Sequence, residues 1–108
     1  MKWNLKKLNF ENYLKERIKL FNMQKINVEC KNLLWASNSL GGETGEFQNI
    51  VKKIFRDEKG NPTKYREDMI SEMGDVFWYW LFVLEILNIK PETVLDYNMN
   101  KLHKKYGI

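Results

Sequence analysis

The 108-residue chain has one cysteine, one histidine and two prolines, and each scarcity removes a class of protein. Cys30 alone cannot close an intramolecular disulfide, so a disulfide-stapled scaffold is excluded and nothing points to an oxidising compartment. With His103 the only imidazole, the paired Glu-x-x-His motifs of a di-iron carboxylate bundle cannot be assembled. The longest apolar run, Val76 to Leu84, has nine residues, far short of the about 20 that cross a bilayer. The opening MetLysTrpAsnLeuLysLys lacks the apolar stretch of a signal peptide. These absences lead to the expectation of a cytoplasmic protein with no membrane partner.

No strand-like alternation, repeat or low-complexity segment is present either. What the chain does have is length for one domain, residues 1–108, and helical periodicity. One segment runs from about Phe10 to Met23, with Phe10, Tyr13, Leu14, Arg17, Ile18 and Phe21 at helical spacing and Asn9 placed to cap it. A second runs from about Glu29 to Phe55 on a stripe of Leu33, Ala36, Leu40, Phe47, Ile50, Val51 and Ile54. Gly41, Gly42 and Gly45 interrupt it, and glycines inside a helix imply a kink or a close approach by another backbone or a ligand. GlyAsnPro within residues 57–63 is turn chemistry. A third helix is expected from about Tyr65 to Leu87, apolar nearly all round in its second half and so central or at a contact between chains. Asn88 is placed to stop it. Pro91, a favoured first-turn residue, opens a fourth helix that reaches about Tyr106. The fold class is therefore all-α, a bundle of about four helices.

Lys and Arg exceed Asp and Glu by 18 to 14, a net charge of +4. A solvated Lys-rich surface accounts for this, as does attraction to polyanions such as nucleotide phosphates. Nucleic acid is disfavoured as a partner, since no helix carries a one-sided basic stripe beyond the C-terminal LysLeuHisLysLys.

The most informative residues are acidic. Glu43 and Glu46 lie in GlyGluThrGlyGlu, and Glu72 and Asp75 in SerGluMetGlyAsp. Each pair is spaced i, i+3, so both carboxylates leave one side of a helix. With Leu40 at zero, helical geometry puts Glu43 at about 300° and Glu46 at about 240°. With Met73 at zero, it puts Glu72 at about 260° and Asp75 at about 200°. The acids thus border the apolar stripes. A partly buried carboxylate needs a partner or becomes protonated. Each acid either pairs with a nearby cation such as Lys52, Lys53, Arg56 or Lys101, or joins the others around a hard cation with oxygen preference, Mg²⁺ or Mn²⁺.

At these residues the chain resembles the MazG-like nucleoside triphosphate pyrophosphohydrolases, whose pattern is a Glu-x-x-Glu helix, a loop and a Glu-x-x-Asp helix. Here the stretch 47–71 separates the two motifs. LeuGlyGlyGluThrGlyGluPhe, ValLysLys, GluMetGlyAspValPheTrpTyr and AsnMetAsnLysLeuHisLysLysTyr extend the similarity over roughly residues 30 to 106. Two positions depart from it. Gly42 stands where many members carry a further Glu, and Lys105-Tyr106 stands where Arg-Tyr is usual, keeping the charge but not the bidentate fork.

The resemblance implies hydrolysis of an NTP or dNTP to a nucleoside monophosphate and pyrophosphate. Mg²⁺, with Mn²⁺ as a substitute, would be held by Glu43, Glu46, Glu72 and Asp75, and Glu46 would activate the water. Lys53, Lys101 and Lys105 are the candidates for the phosphates. Trp35 and Tyr79 are those for the base, and Asn98 is the one for the sugar or a metal-bound water. The aromatics from Phe77 to Phe82 form more apolar surface than one small bundle can cover, so a homodimer or homotetramer with the site near the interface is expected. Two other classes remain in view: a non-catalytic nucleotide-binding regulator, which Gly42 keeps open, and a basic helical nucleic-acid module.

Overall fold

The computed structural model of the chain describes residues 9–24 and 29–108, with side chains described at 9–20 and from 32 onward. The N-terminal residues and the side chains of Phe21 and Cys30 discussed above lie outside that set. Among the described residues four α-helices follow one another: α1 (Phe10–Gln24), α2 (Glu29–Asp57), α3 (Arg66–Ile86) and α4 (Pro91–Tyr106). A 3-10 turn, Thr63–Tyr65, leads into α3, and no strand occurs among the described residues. No described helix is long and apolar enough to cross a membrane.

The helix ends follow local chemistry. The Asn9 side chain accepts a hydrogen bond from the Asn12 backbone N–H at 2.8 Å, the N-cap expected at that position. α3 ends where Asn88 adopts φ 55°, a left-handed conformation that Asn tolerates just past a helix. The Ile89 N–H then reaches back to the Leu84 carbonyl at 2.9 Å. Between α2 and α3, Lys59 (φ 53°) and Gly60 (φ 86°) turn the chain. Gly60 also lies under the Phe55 ring, where a Cβ would approach within 3.3 Å, so this glycine is needed twice over. Asn61 completes the loop by accepting hydrogen bonds from the Thr63 backbone N–H and hydroxyl.

α2 and α3 form the principal packed pair. The core consists of Ala36, Ile50 and Ile54 from α2 and Leu81, Phe82 and Leu84 from α3. Phe82 is fully buried, with ring centroids of Trp35 at 5.7 Å, Trp78 at 5.6 Å and Tyr79 at 6.0 Å. α1 lies over the second half of α3, where Tyr13 meets Phe77 and Trp78. Much of the aromatic run is therefore covered within the chain, and Phe77 is its one exposed ring.

Two features differ from the sequence-based expectation. α2 runs unbroken through Gly41, Gly42 and Gly45, and nothing lies within 4 Å of the Cβ position at any of the three. No close approach inside the chain demands these glycines. The second concerns Arg17, which lies on the stripe of α1 as its spacing indicated but is fully buried there. Its guanidinium carbon lies 4.5 Å from the ring centroids of both Trp78 and Phe82. Its Nε donates to Glu85 Oε1 at 3.2 Å. Burial pushes the arginine pKa down, and the Glu85 charge opposes that shift. Burial likewise raises Glu85, again opposed by its partner. Glu85 thus holds the buried charge that α1 brings into the bundle.

Candidate metal centre

The acid-bearing turns of α2 and α3 face each other because these two helices form the principal packed pair. Oxygens of Glu43, Glu72 and Asp75 all lie within 4.8 Å of one another. Glu43 and Glu72 are half-buried and Asp75 is exposed. Glu46, one turn further along α2, is exposed and does not belong to that closest set. Three of the four expected acids therefore converge, and the fourth stands beside them on the wall of a neighbouring cleft.

The electrostatics of the cluster are those of acids without a compensating side chain. No Lys or Arg forms an ion pair with any of the four acids among the described residues. Lys15, Arg17, Lys19, Arg56 and Lys64 pair elsewhere. Oε2 of Glu72 is buried without a hydrogen-bond partner, a costly state for a carboxylate oxygen. The Glu43 carboxyl is held above the usual carboxylate range, first by partial burial. Hydrogen bonding to Glu72 and repulsion from Asp75, Glu72 and Glu46 push it in the same direction. Carboxylates this close, lacking a positive side chain and leaving one buried oxygen unsatisfied, fit a divalent ion of hard, oxygen-seeking character.

Next to the acids, α2 and α3 enclose a cleft of about 350 Å³ lined by Glu46, Lys52, Lys53, Arg56, Tyr65 and Glu72 among others. Lys53, the phosphate candidate on α2, is one of the residues that line this cleft. Lys52, Arg56 and Tyr65 were not singled out as ligand contacts by the sequence reading, although the residues 52–56 carry three cations within one turn. Arg56 is held by Asp57 through two hydrogen bonds of 2.8 Å. Trp35 and Tyr79 come together edge to face, with centroids 5.8 Å apart, but neither lines this cleft. Asn98, Lys101 and Lys105 lie on α4, which also contributes nothing to it. All three are exposed, and the Lys105 ammonium sits 5.4 Å from the ring centroid of its neighbour Tyr106.

Residues 33–106 match the family model of the MazG nucleotide pyrophosphohydrolase domain. The chain belongs to that family. It is also similar to the Gene 37 protein of Mycobacterium phage L5, at 40% identity over 76 residues, 69% of this chain and 67% of the phage protein. No solved structure gives a match.

Proposed function

We propose that the protein is a Mg²⁺-dependent nucleoside triphosphate pyrophosphohydrolase that cleaves an NTP or dNTP between its α and β phosphates. The observation that carries this reading is the convergence of Glu43, Glu72 and Asp75 within 4.8 Å, with no ion pair among the described residues to neutralise them. Glu43, Glu72 and Asp75 hold the divalent ion, with Glu46 completing the set from the cleft wall. Mg²⁺, or Mn²⁺ in its place, supplies charge neutralisation and polarisation of the phosphorus when bound.

The chain's own groups do the rest. Glu46 is exposed and borders the cleft, so it can orient a water and accept its proton. The water oxygen bonds to the α phosphorus as the α–β bridging bond breaks. The electron pair leaves with pyrophosphate, and the nucleoside monophosphate keeps the new oxygen. Lys53, supported by Lys52 and Arg56, balances the charge of the β and γ phosphates in the cleft. The Trp35–Tyr79 pair offers flat apolar faces for a base.

The test is product analysis over a panel of NTPs and dNTPs with Mg²⁺. The expected result is nucleoside monophosphate and pyrophosphate in equal amounts, lost with EDTA and in Glu72→Gln. Tight nucleotide binding without turnover would instead assign the regulatory reading that Gly42 leaves open. Nucleoside diphosphate with orthophosphate would contradict cleavage at the α–β bond.

A further inference from the structure

The cleft beside the acids has two distinct ends. Trp35 meets Phe82 and Glu43 lies with Glu72, so α2 and α3 run antiparallel, and the cleft follows them toward the loop that joins them. Glu46 and Glu72 line it next to the acid cluster, and Arg56 and Tyr65 line it at the loop. Glu46 and Arg56 are about 15 Å apart along α2, with Lys53 one turn short of Arg56. The space, about 350 Å³ against about 30 Å³ for one water, takes a chain of phosphates and not only a single ion.

The far end is braced from outside. Nε and Nη2 of Arg56 donate to the carboxylate oxygens of Asp57, both at 2.8 Å. This fork-on-fork pair fixes the guanidinium plane and leaves Nη1 out of it. Asp57 does not line the cleft. It is the last residue of α2, where the helix dipole disfavours an acid, so helix stability alone does not account for it. The Arg56 pKa is raised first by hydrogen bonding to Asp57, then by the Asp57 charge, and also by the Tyr65 phenol on the facing wall. Tyr65 is half-buried. Its N–H donates to the Pro62 carbonyl at 3.0 Å, and the Lys64 ammonium, held by Glu58 at 3.2 Å, lies 5.7 Å from its ring centroid. Lys52 and Lys53 have no such brace, since neither forms an ion pair among the described residues.

We propose that Arg56 and Tyr65 form the subsite for the terminal phosphate of the substrate, with Asp57 as a positioning residue, so that the cleft selects nucleoside triphosphates over diphosphates. This assignment rests on the phosphate placement of the hydrolase reading. A terminal phosphate carries more charge and more free oxygens than a bridging one, which suits a planar guanidinium edge beside a hydroxyl donor. Asp57 offsets part of the Arg56 charge, so the selection comes from the directed Nη1 donors. Lys53, nearer the metal, meets the β phosphate. A diphosphate ends there and leaves the Arg56–Tyr65 wall unused. Asp68 on the α3 wall opposes any anion in the cleft, but Lys52 and Lys53 outnumber it, and Glu46 and Glu72 are taken up with the divalent ion.

The test compares kcat/KM for an NTP and the matching NDP with Mg²⁺. The wild type should prefer the triphosphate by at least about tenfold. Arg56→Gln should lose about ten- to a hundredfold on the triphosphate, with a clearly smaller loss on the diphosphate. Asp57→Asn and Tyr65→Phe should each narrow the preference while leaving Tm in EDTA near the wild-type value, because an exposed pair and one hydroxyl contribute little to stability. A merely structural role would lower both substrates alike. A wild type that treats the two substrates alike, or variants whose losses are equal on both, overturns the subsite.

Calorimetric binding of tri- and diphosphate analogues with a non-hydrolysable α–β bridge separates the subsite from the hydrolase reading. Triphosphate binding weakened in Arg56→Gln, with diphosphate binding kept, in a protein that releases no pyrophosphate would sustain the subsite and end the hydrolase reading. NTP turnover together with equal triphosphate binding by wild type and Arg56→Gln would do the reverse. No binding of either analogue would end both.

Discussion

Replacing Glu43 by Gln should make the metal-free protein more stable and less responsive to metal. Its carboxylate lies within 4.8 Å of oxygens of both Glu72 and Asp75, and no cationic side chain among the described residues compensates. Two like charges at that 4.8 Å separation repel by about 0.9 kcal/mol in bulk water and by about 3.5 kcal/mol at an effective dielectric of 20. Asp75 is exposed and the other two acids are only half-buried, so the lower end applies, and removing one charge should gain about 1–2 kcal/mol. For a domain of this size that is a rise in Tm of about 4–16 °C.

The assay is a thermal melt by circular dichroism in EDTA at pH 7.5 and low salt, repeated with excess Mg²⁺. The wild type should gain stability with Mg²⁺, by about 2.7 kcal/mol at a hundred times its Kd, and the variant little or none. High salt should shrink the difference between the metal-free proteins. A variant that melts below the wild type in EDTA, or that gains as much from Mg²⁺, would refute the view that these acids repel one another and are reconciled by an ion.

Other outcomes follow from the same structure. Because the folded-state pKa of Glu43 is raised, its stabilising contribution is complete below the ordinary carboxylate pKa of about 4.3 and is lost as pH rises through the raised value. Metal-free wild type should therefore gain stability as pH falls from neutral toward that range. Glu43→Gln should flatten this slope, as denaturant titrations at several pH values would reveal. Arg17→Met should cost about 3–5 kcal/mol by leaving Glu85 uncompensated. Adding Glu85→Leu should recover most of that in a double-mutant cycle, and additive losses would mean that the pair is not coupled. Phe82→Ala should cost about 3–5 kcal/mol in urea unfolding, since Phe82 is fully buried among three aromatic rings, and a loss under about 1 kcal/mol would contradict its place in the core.

The helices were legible because each is governed by local rules. The Asn9 cap, the stop at Asn88 and the start at Pro91 all require only neighbouring residues. The acids were legible for a similar reason, since i, i+3 spacing fixes a direction on one helix. Relations between helices were harder to read. Arg17 and Glu85 are 68 residues apart, and only the register of α1 on α3 joins them, although a charge on an apolar stripe is itself a sign that a partner exists. The separation of Glu46 from the other three acids likewise depends on how α2 is rotated against α3. The glycines of α2 do not kink it, because low helix propensity is a local cost that packing elsewhere along α2 offsets. Lys101 and Lys105, expected near the phosphates, lie on α4, which lines none of the cleft beside the acids.

The most direct test of the central claim is Mn²⁺ binding followed by electron paramagnetic resonance. Wild type at neutral pH should take up Mn²⁺, and an NTP analogue with a non-hydrolysable α–β bridge should tighten that binding. Glu72→Gln, in which the oxygen that is buried and unpartnered in the wild type is no longer a charged ligand, should bind at least tenfold more weakly with or without the analogue. Equal Mn²⁺ binding by the two proteins, or binding indifferent to the nucleotide, would contradict a metal–nucleotide centre between α2 and α3.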